Sequence, residues 1–224
     1  MPIQIIPAIL PQSFSELEEK MSQVNGLVPL VQIDICDGKY TPKATWPYRK
    51  HDDSFDAMMR EEIGMPFWED LDFEIDLMAR NPEALIPQWV TAGAQRIIIH
   101  ADSTDKLGEV IDSCKNQVEV GVAIGLTTPL EKILPYIADI SVIQCMGISK
   151  IGFQGQNFNE QVYEKIKEVR QALPDIEISV DGGVTLENAQ KLIEAGATRL
   201  AVGSAIFGEI DIHKAISEFQ ERAV

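Results

Sequence analysis

Short runs of β-branched and other apolar residues alternate along this chain with stretches of helical periodicity. The apolar runs lie near 4–6, 30–35, 72–76, 96–100, 119–123, 140–145, 177–180 and 199–202. Helical patterns start near Ser15, Ser54, Pro82, Thr104, Pro129, Glu160, Leu186 and Ile212. Alternation of this kind predicts a parallel sheet, because a parallel partner strand needs a crossover helix. Eight such units predict an α/β fold closed as a single-domain (β/α)8 barrel over residues 1–224, of the TIM-barrel type. No GxGxxG follows the first run, which disfavours a dinucleotide-binding sheet. Gly93 and Gly196 fall between a helical pattern and the next strand, where glycine caps helices. One connection, about 40–68, is long for a single βα link. It holds Pro42, Trp46-Pro47-Tyr48, the charged run 49–53 and Phe67-Trp68. It reads equally as a surface excursion covering the barrel or as a lid or oligomer contact.

Composition narrows the partners. With 35 acidic against 19 basic residues the formal net charge is −16. That argues against nucleic acid and anionic membranes, which require a basic face. It leaves a small phosphate ligand open, because such sites are built from local N–H groups. Cys36, Cys114 and Cys145 are odd in number and lack a CxxC pair, so neither a disulfide framework nor a structural zinc site is expected. The chain reads as reduced and cytoplasmic. The N-terminal segment lacks signal-peptide character, and no apolar run reaches membrane-spanning length.

The most informative stretch is 179–186, Ser-Val-Asp-Gly-Gly-Val-Thr-Leu. A strand ends in Asp181, Gly182 and Gly183, and a helix follows with Thr185 as N-cap. Two glycines ahead of a helix N-terminus make a phosphate seat beside a carboxylate. The next strand repeats the arrangement with Gly203-Ser204-Ala205. Two consecutive units of this kind near a C-terminus are how such barrels hold a phosphate. Gly152, Phe153, Gln154 and Gly155 open the connection after strand six and suit a phosphate gripper or an ordinary glycine turn.

The C-terminal ends of barrel strands face one shared site. By alternation Gln32, Asp34 and Cys36 share a face, as do Asp76 and Met78. Strand four ends in His100, strand six in Met146 and strand seven in Asp181. Asp34, Asp76 and Asp181 therefore converge. Clustered buried carboxylates repel, and a divalent cation offsets that cost; two of them also serve as an acid–base pair. Asp37 with Gly38 reads as a turn former, His100 as a hydrogen-bonded wall residue or a substrate contact, and Met78 and Met146 as core or as an apolar cap.

The ordered series Pro7-Ala8-Ile9-Leu10, 33–38, Asp76-Leu77-Met78, His100-Ala101-Asp102, Thr128-Pro129-Leu130, 152–156, 180–183 and 202–207 resembles the ribulose-phosphate 3-epimerase family nearly end to end. The resemblance implies a ribulose-phosphate-binding barrel that moves a proton at C3 of a pentulose 5-phosphate. Asp34 and Asp181 stand in the positions of the two acid–base groups. They also stand as metal ligands, with Gln32 and Asp76 where the family has two histidines. The family's substrate-holding serine is Ala8 here, and Gln154 replaces a glycine. A ligand set of Gln32, Asp34, Asp76 and Asp181 offers only oxygen or amide donors. That moves preference from zinc or iron toward manganese, magnesium or another hard divalent cation. A possible homo-oligomer is implied only by the family. Two other readings stand beside the epimerase. An aldolase or decarboxylase would want a strand-end lysine, whereas Lys39 and Lys150 fall in loops and 34–37 lacks the decarboxylases' Asp-x-Lys-x-x-Asp strand. A non-catalytic phosphosugar-binding protein would have kept the seat and lost the metal.

Overall fold

The computed structural model describes residues 3–152 and 156–222. Eight strands close into one parallel barrel in sequence order: β1 (Gln4–Ile9), β2 (Leu30–Cys36), β3 (Asp72–Met78), β4 (Arg96–His100), β5 (Glu119–Ile124), β6 (Val142–Met146), β7 (Glu177–Asp181) and β8 (Arg199–Val202). β1 pairs with β8 to complete the ring. The helices are α1 (Phe14–Val24), α2 (Asp53–Met59), α3 (Ile86–Thr91), α4 (Leu107–Cys114), α5 (Gln161–Ala172), α6 (Leu186–Ala195), α7 (Ser204–Phe207) and α8 (Ile212–Arg222).

Most expected strands are found one to three residues longer at their C-terminal ends. β1 runs through Pro7 and Ala8, because a proline whose nitrogen is not needed by the ladder is tolerated in a strand. β6 starts at Val142 rather than 140. The helix expected from Pro129 is instead two 3-10 segments, Leu130–Lys132 and Leu134–Asp139. The Pro135 ring lies one residue into the second, where it prevents a continuous α-helix from forming across both. Pro82 likewise opens a 3-10 turn ahead of α3.

Two apolar layers follow from strand alternation. Outward residues such as Ile33, Ile75, Ile97, Val122 and Leu200 pack under the helices. The interior is unusually polar. Ile98, Ala123 and Met146 form only a small cluster there. Below them Glu74, fully buried, accepts from Arg199 at 2.6 and 2.7 Å and from Arg96 at 2.8 Å. Arg96 and Arg199 also reach Glu119 and Glu177 at the rim. Glu74→Ala leaves two buried guanidinium groups short of their shared carboxylate. We expect a loss of about 3–5 kcal/mol in chemical denaturation, against under about 1 kcal/mol for the half-exposed Glu119→Ala.

The long 40–68 connection contributes to the layer outside the barrel. Trp46, 2 % exposed, meets Phe14, Phe55 and Trp89 at ring-centroid distances of 5.6, 5.6 and 6.0 Å. Met58 and Met65 are buried in the same core cluster. Trp68 and Ile63 remain on the surface. Among the described residues no helix is long and apolar enough to cross a membrane.

Candidate active site

Asp34 and Asp76 are direct register partners on β2 and β3, and Asp181 ends β7. All three are buried, and one oxygen from each lies within 4.8 Å of the others. Burial pushes the Asp34 carboxyl well above its ordinary value, reinforced by Asp181 and Asp76. Burial and Asp76 push Asp181 up to about 7. His100 Nε2 lies 2.9 Å from Asp76 Oδ1, while Asp76 Oδ2 is buried without a protein partner among the described residues. Gln32 donates from Nε2 to Asp34 Oδ1 at 2.8 Å, and its own Oε1 has no partner. Expected as a fourth ligand in a set of oxygen or amide donors, Gln32 turns its amide nitrogen to Asp34.

One pocket joins this cluster to the expected phosphate seat. Asp34, Asp181, Met78 and Met146 line its floor, with Gly182, Gly183, Gly203 and Ser204 along one side and Ala8 and Gly152 also in its wall. Gly182 and Gly183 sit at φ of +100° and +70°, the left-handed region that glycine enters freely. The loop is tied to α6 by a capping box: Asn188 Oδ1 accepts from Thr185 N at 2.9 Å, and its Nδ2 donates to Gly183 O at 2.9 Å. A Cβ on Gly183 would lie 3.0 Å from Phe158 Cα and 3.2 Å from its nitrogen. Gly183→Ala is expected to cost about 1–3 kcal/mol in stability and to raise KM by about tenfold. Isothermal unfolding and initial-rate kinetics check both.

His100 does not line that pocket. It faces a neighbouring cavity of about 310 Å³ together with Tyr40, Asp102 and Thr128, separated by the shared Met146 and Ile148. Tyr40 packs on it with centroids 5.5 Å apart. Asp37 behaves as a turn former: Oδ1 accepts from Lys39 N and Tyr40 N at 2.8 and 2.9 Å, and Oδ2 from Arg80 N at 2.9 Å. Phe153, Gln154 and Gly155 lie outside the described residues. The sequence reading missed the polar interior of Glu74, Arg96, Gln144, Ser179 and Arg199. The signal was present, because each sits an even number of positions below an inward strand-end residue or phosphate-seat glycine.

Residues 4–207 match the model of the ribulose-phosphate 3 epimerase family. The chain belongs to this family. The ribulose-phosphate 3-epimerase of Bacillus subtilis is 34% identical over 225 residues, covering 97% of this chain and 98% of that protein. The chloroplastic ribulose-5-phosphate-3-epimerase of Arabidopsis thaliana is 32% identical, over 96% of this chain and 75% of its own length. The family places this epimerase among the isomerases. Solved structures confirm the fold. KGPDC from Streptococcus mutans superposes with a TM-score of 0.69 at 12% identity, over 100% of this chain and 98% of that one. The 3-hexulose-6-phosphate synthase of Salmonella typhimurium gives 0.69 at 14% identity, over 100% and 98%.

Proposed function

We propose that this epimerase interconverts ribulose 5-phosphate and xylulose 5-phosphate by two-base proton transfer at C3. The observation that carries the reading is a pocket lined by Asp34 and Asp181, two of three clustered buried carboxylates, together with the glycines 182, 183 and 203. The seat holds the phosphate through Gly182, Gly183, Gly203 and Ser204. Asp34 on β2 and Asp181 on β7 then stand on opposite faces of C3. One removes the proton and the other delivers it to the far face. Without a cation, burial and Asp76 raise the Asp181 carboxyl to about 7, so in that state it can hold and release a proton near neutral pH. Met78 and Met146 exclude water from the carbon while it carries charge.

The donor set fits a hard divalent cation. Three carboxylates crowd one buried point, Asp76 helps raise the proton affinity of both Asp34 and Asp181, and among the described residues Asp76 Oδ2 has no protein partner. Asp34, Asp76 and Asp181 would hold the ion, with manganese or magnesium preferred to zinc or iron because no imidazole faces the cluster except His100, already turned to Asp76 Oδ1. When bound, it would supply Lewis-acid stabilisation of the negative charge that develops on the substrate. Gln32 holds Asp34 in place from below. No lysine lines the pocket among the described residues, so a Schiff-base reaction has no nucleophile there.

The test is proton exchange in deuterium oxide with ribulose 5-phosphate, followed by NMR with manganese, with magnesium and with chelator. Deuterium at C3 and appearing xylulose 5-phosphate, dependent on the ion, is the expected result. Binding of the sugar phosphate without exchange in any condition would overturn it.

A further inference from the structure

The pairing register arranges the barrel interior in layers. Ala8, Asp76, Ala123 and Asp181 from the odd strands pair with Gln32, Ile98, Gln144 and Ala201 from the even strands. These in turn pair with Ile6, Glu74, Gly121 and Ser179, and Ser179 pairs with Arg199. Beneath the carboxylates, then, lies a layer with a glutamine on β2 and another on β6, on opposite sides of the ring. A serine and an arginine follow below.

Among the described residues, Gln32 Oε1, Gln144 Oε1, Ser179 Oγ and Arg199 Nε are all buried and have no hydrogen-bond partner within the protein. An unpaired buried polar atom costs about 1–3 kcal/mol. Four in adjacent layers of the barrel interior point to a shared occupant. Both glutamine nitrogens are drawn upward: Gln32 Nε2 donates to Asp34, and Gln144 Nε2 faces Met146 Sδ at 3.9 Å. Both oxygens are therefore left to the layer. Ala201 and Ser179 carry small side chains on the same inward face, whereas the place beside Gly121 is taken by Ile98 and Val142.

We propose that this part of the barrel interior binds ordered water, one or two molecules, held by Gln32, Gln144, Ser179 and Arg199. The donor set selects water over a monovalent cation. Gln32 and Gln144 offer acceptors, but Arg199 Nε can only donate and the Ser179 hydroxyl needs an acceptor for its proton. A cation satisfies the first pair and repels Arg199. Water serves all four. By donating to Gln32 Oε1, it fixes the amide with its NH2 on Asp34 and keeps the oxygen away from the carboxylates. Gln144 and Ser179 are thus positioning residues acting through Gln32.

The test counts long-lived internal water by oxygen-17 magnetic relaxation dispersion on the full chain. Gln144→Leu/Ser179→Ala should lose about one to two molecules relative to the parent. An unchanged amplitude in the folded variant would overturn the site. A high-resolution crystal structure of the parent decides independently of the variant's folding. Solvent bonded to both Gln32 Oε1 and Gln144 Oε1 supports the proposal, whereas protein donors on both oxygens overturn it. A thallium(I) soak that places an anomalous peak there would replace water by a cation. None of these readouts depends on epimerase activity. The positioning role predicts kcat about tenfold lower in Gln144→Leu with KM unchanged; an unchanged kcat overturns that part.

Discussion

Asp181→Asn and Asp34→Asn should each lower epimerisation by at least about 10³-fold while leaving half of the exchange chemistry intact. The amide keeps the volume and an oxygen but cannot take a proton. If the two carboxylates work from opposite faces, Asp181→Asn still lets Asp34 abstract from the epimer whose C3 proton faces it. Deuterium then enters one epimer without conversion to the other. Asp34→Asn should show the mirror image, exchange confined to the second epimer. The assay is NMR of ribulose 5-phosphate and of xylulose 5-phosphate, each incubated separately in deuterium oxide. If either variant washes deuterium into both epimers, a single base serves both faces and the two-base assignment is wrong.

The second large effect is on stability. Folding raises the Asp181 carboxyl from its ordinary 3.8 to about 7, and Asp34 shifts in the same direction. A raised acid binds its proton more tightly in the folded state. Its protonated form therefore leaves stability intact below about 4, and stability drains away as pH rises toward 7. Roughly three pH units at 1.36 kcal/mol each put the Asp181 share near 4 kcal/mol. About two of those units lie between pH 5 and 8, roughly 3 kcal/mol, which for a chain of this size is about 8 °C in Tm, measured with chelator present. Other carboxylates are ionised in both states across most of that window and contribute little. A divalent cation replaces the proton as the neutralising charge, so saturating manganese should restore Tm at pH 8. Asp34→Asn/Asp181→Asn should flatten the metal-free pH dependence. A metal-free protein equally stable at pH 5 and 8 would show that the carboxylates do not crowd as described.

Much of this was legible in the order of residues. The period-2 runs and their glycine punctuation determined eight strands, the closed barrel and the convergence of Asp34, Asp76 and Asp181, because alternation dictates which side chains face inward. The glycines of 182–183 and 203, expected as a phosphate seat, line the same pocket for the same local reason. Tertiary structure alone decided what those side chains meet. Gln32 stood in line to be a ligand, yet packing turned its amide nitrogen toward Asp34. His100 pointed to the same mouth, yet its ring went to Asp76 and the neighbouring cavity. Glu74 and Arg199, 125 residues apart, looked like ordinary charges until the closed ring brought them together. The order of residues sets which face each side chain occupies. Which atoms it touches depends on how distant strands are staggered, and that stagger is fixed only when the barrel closes.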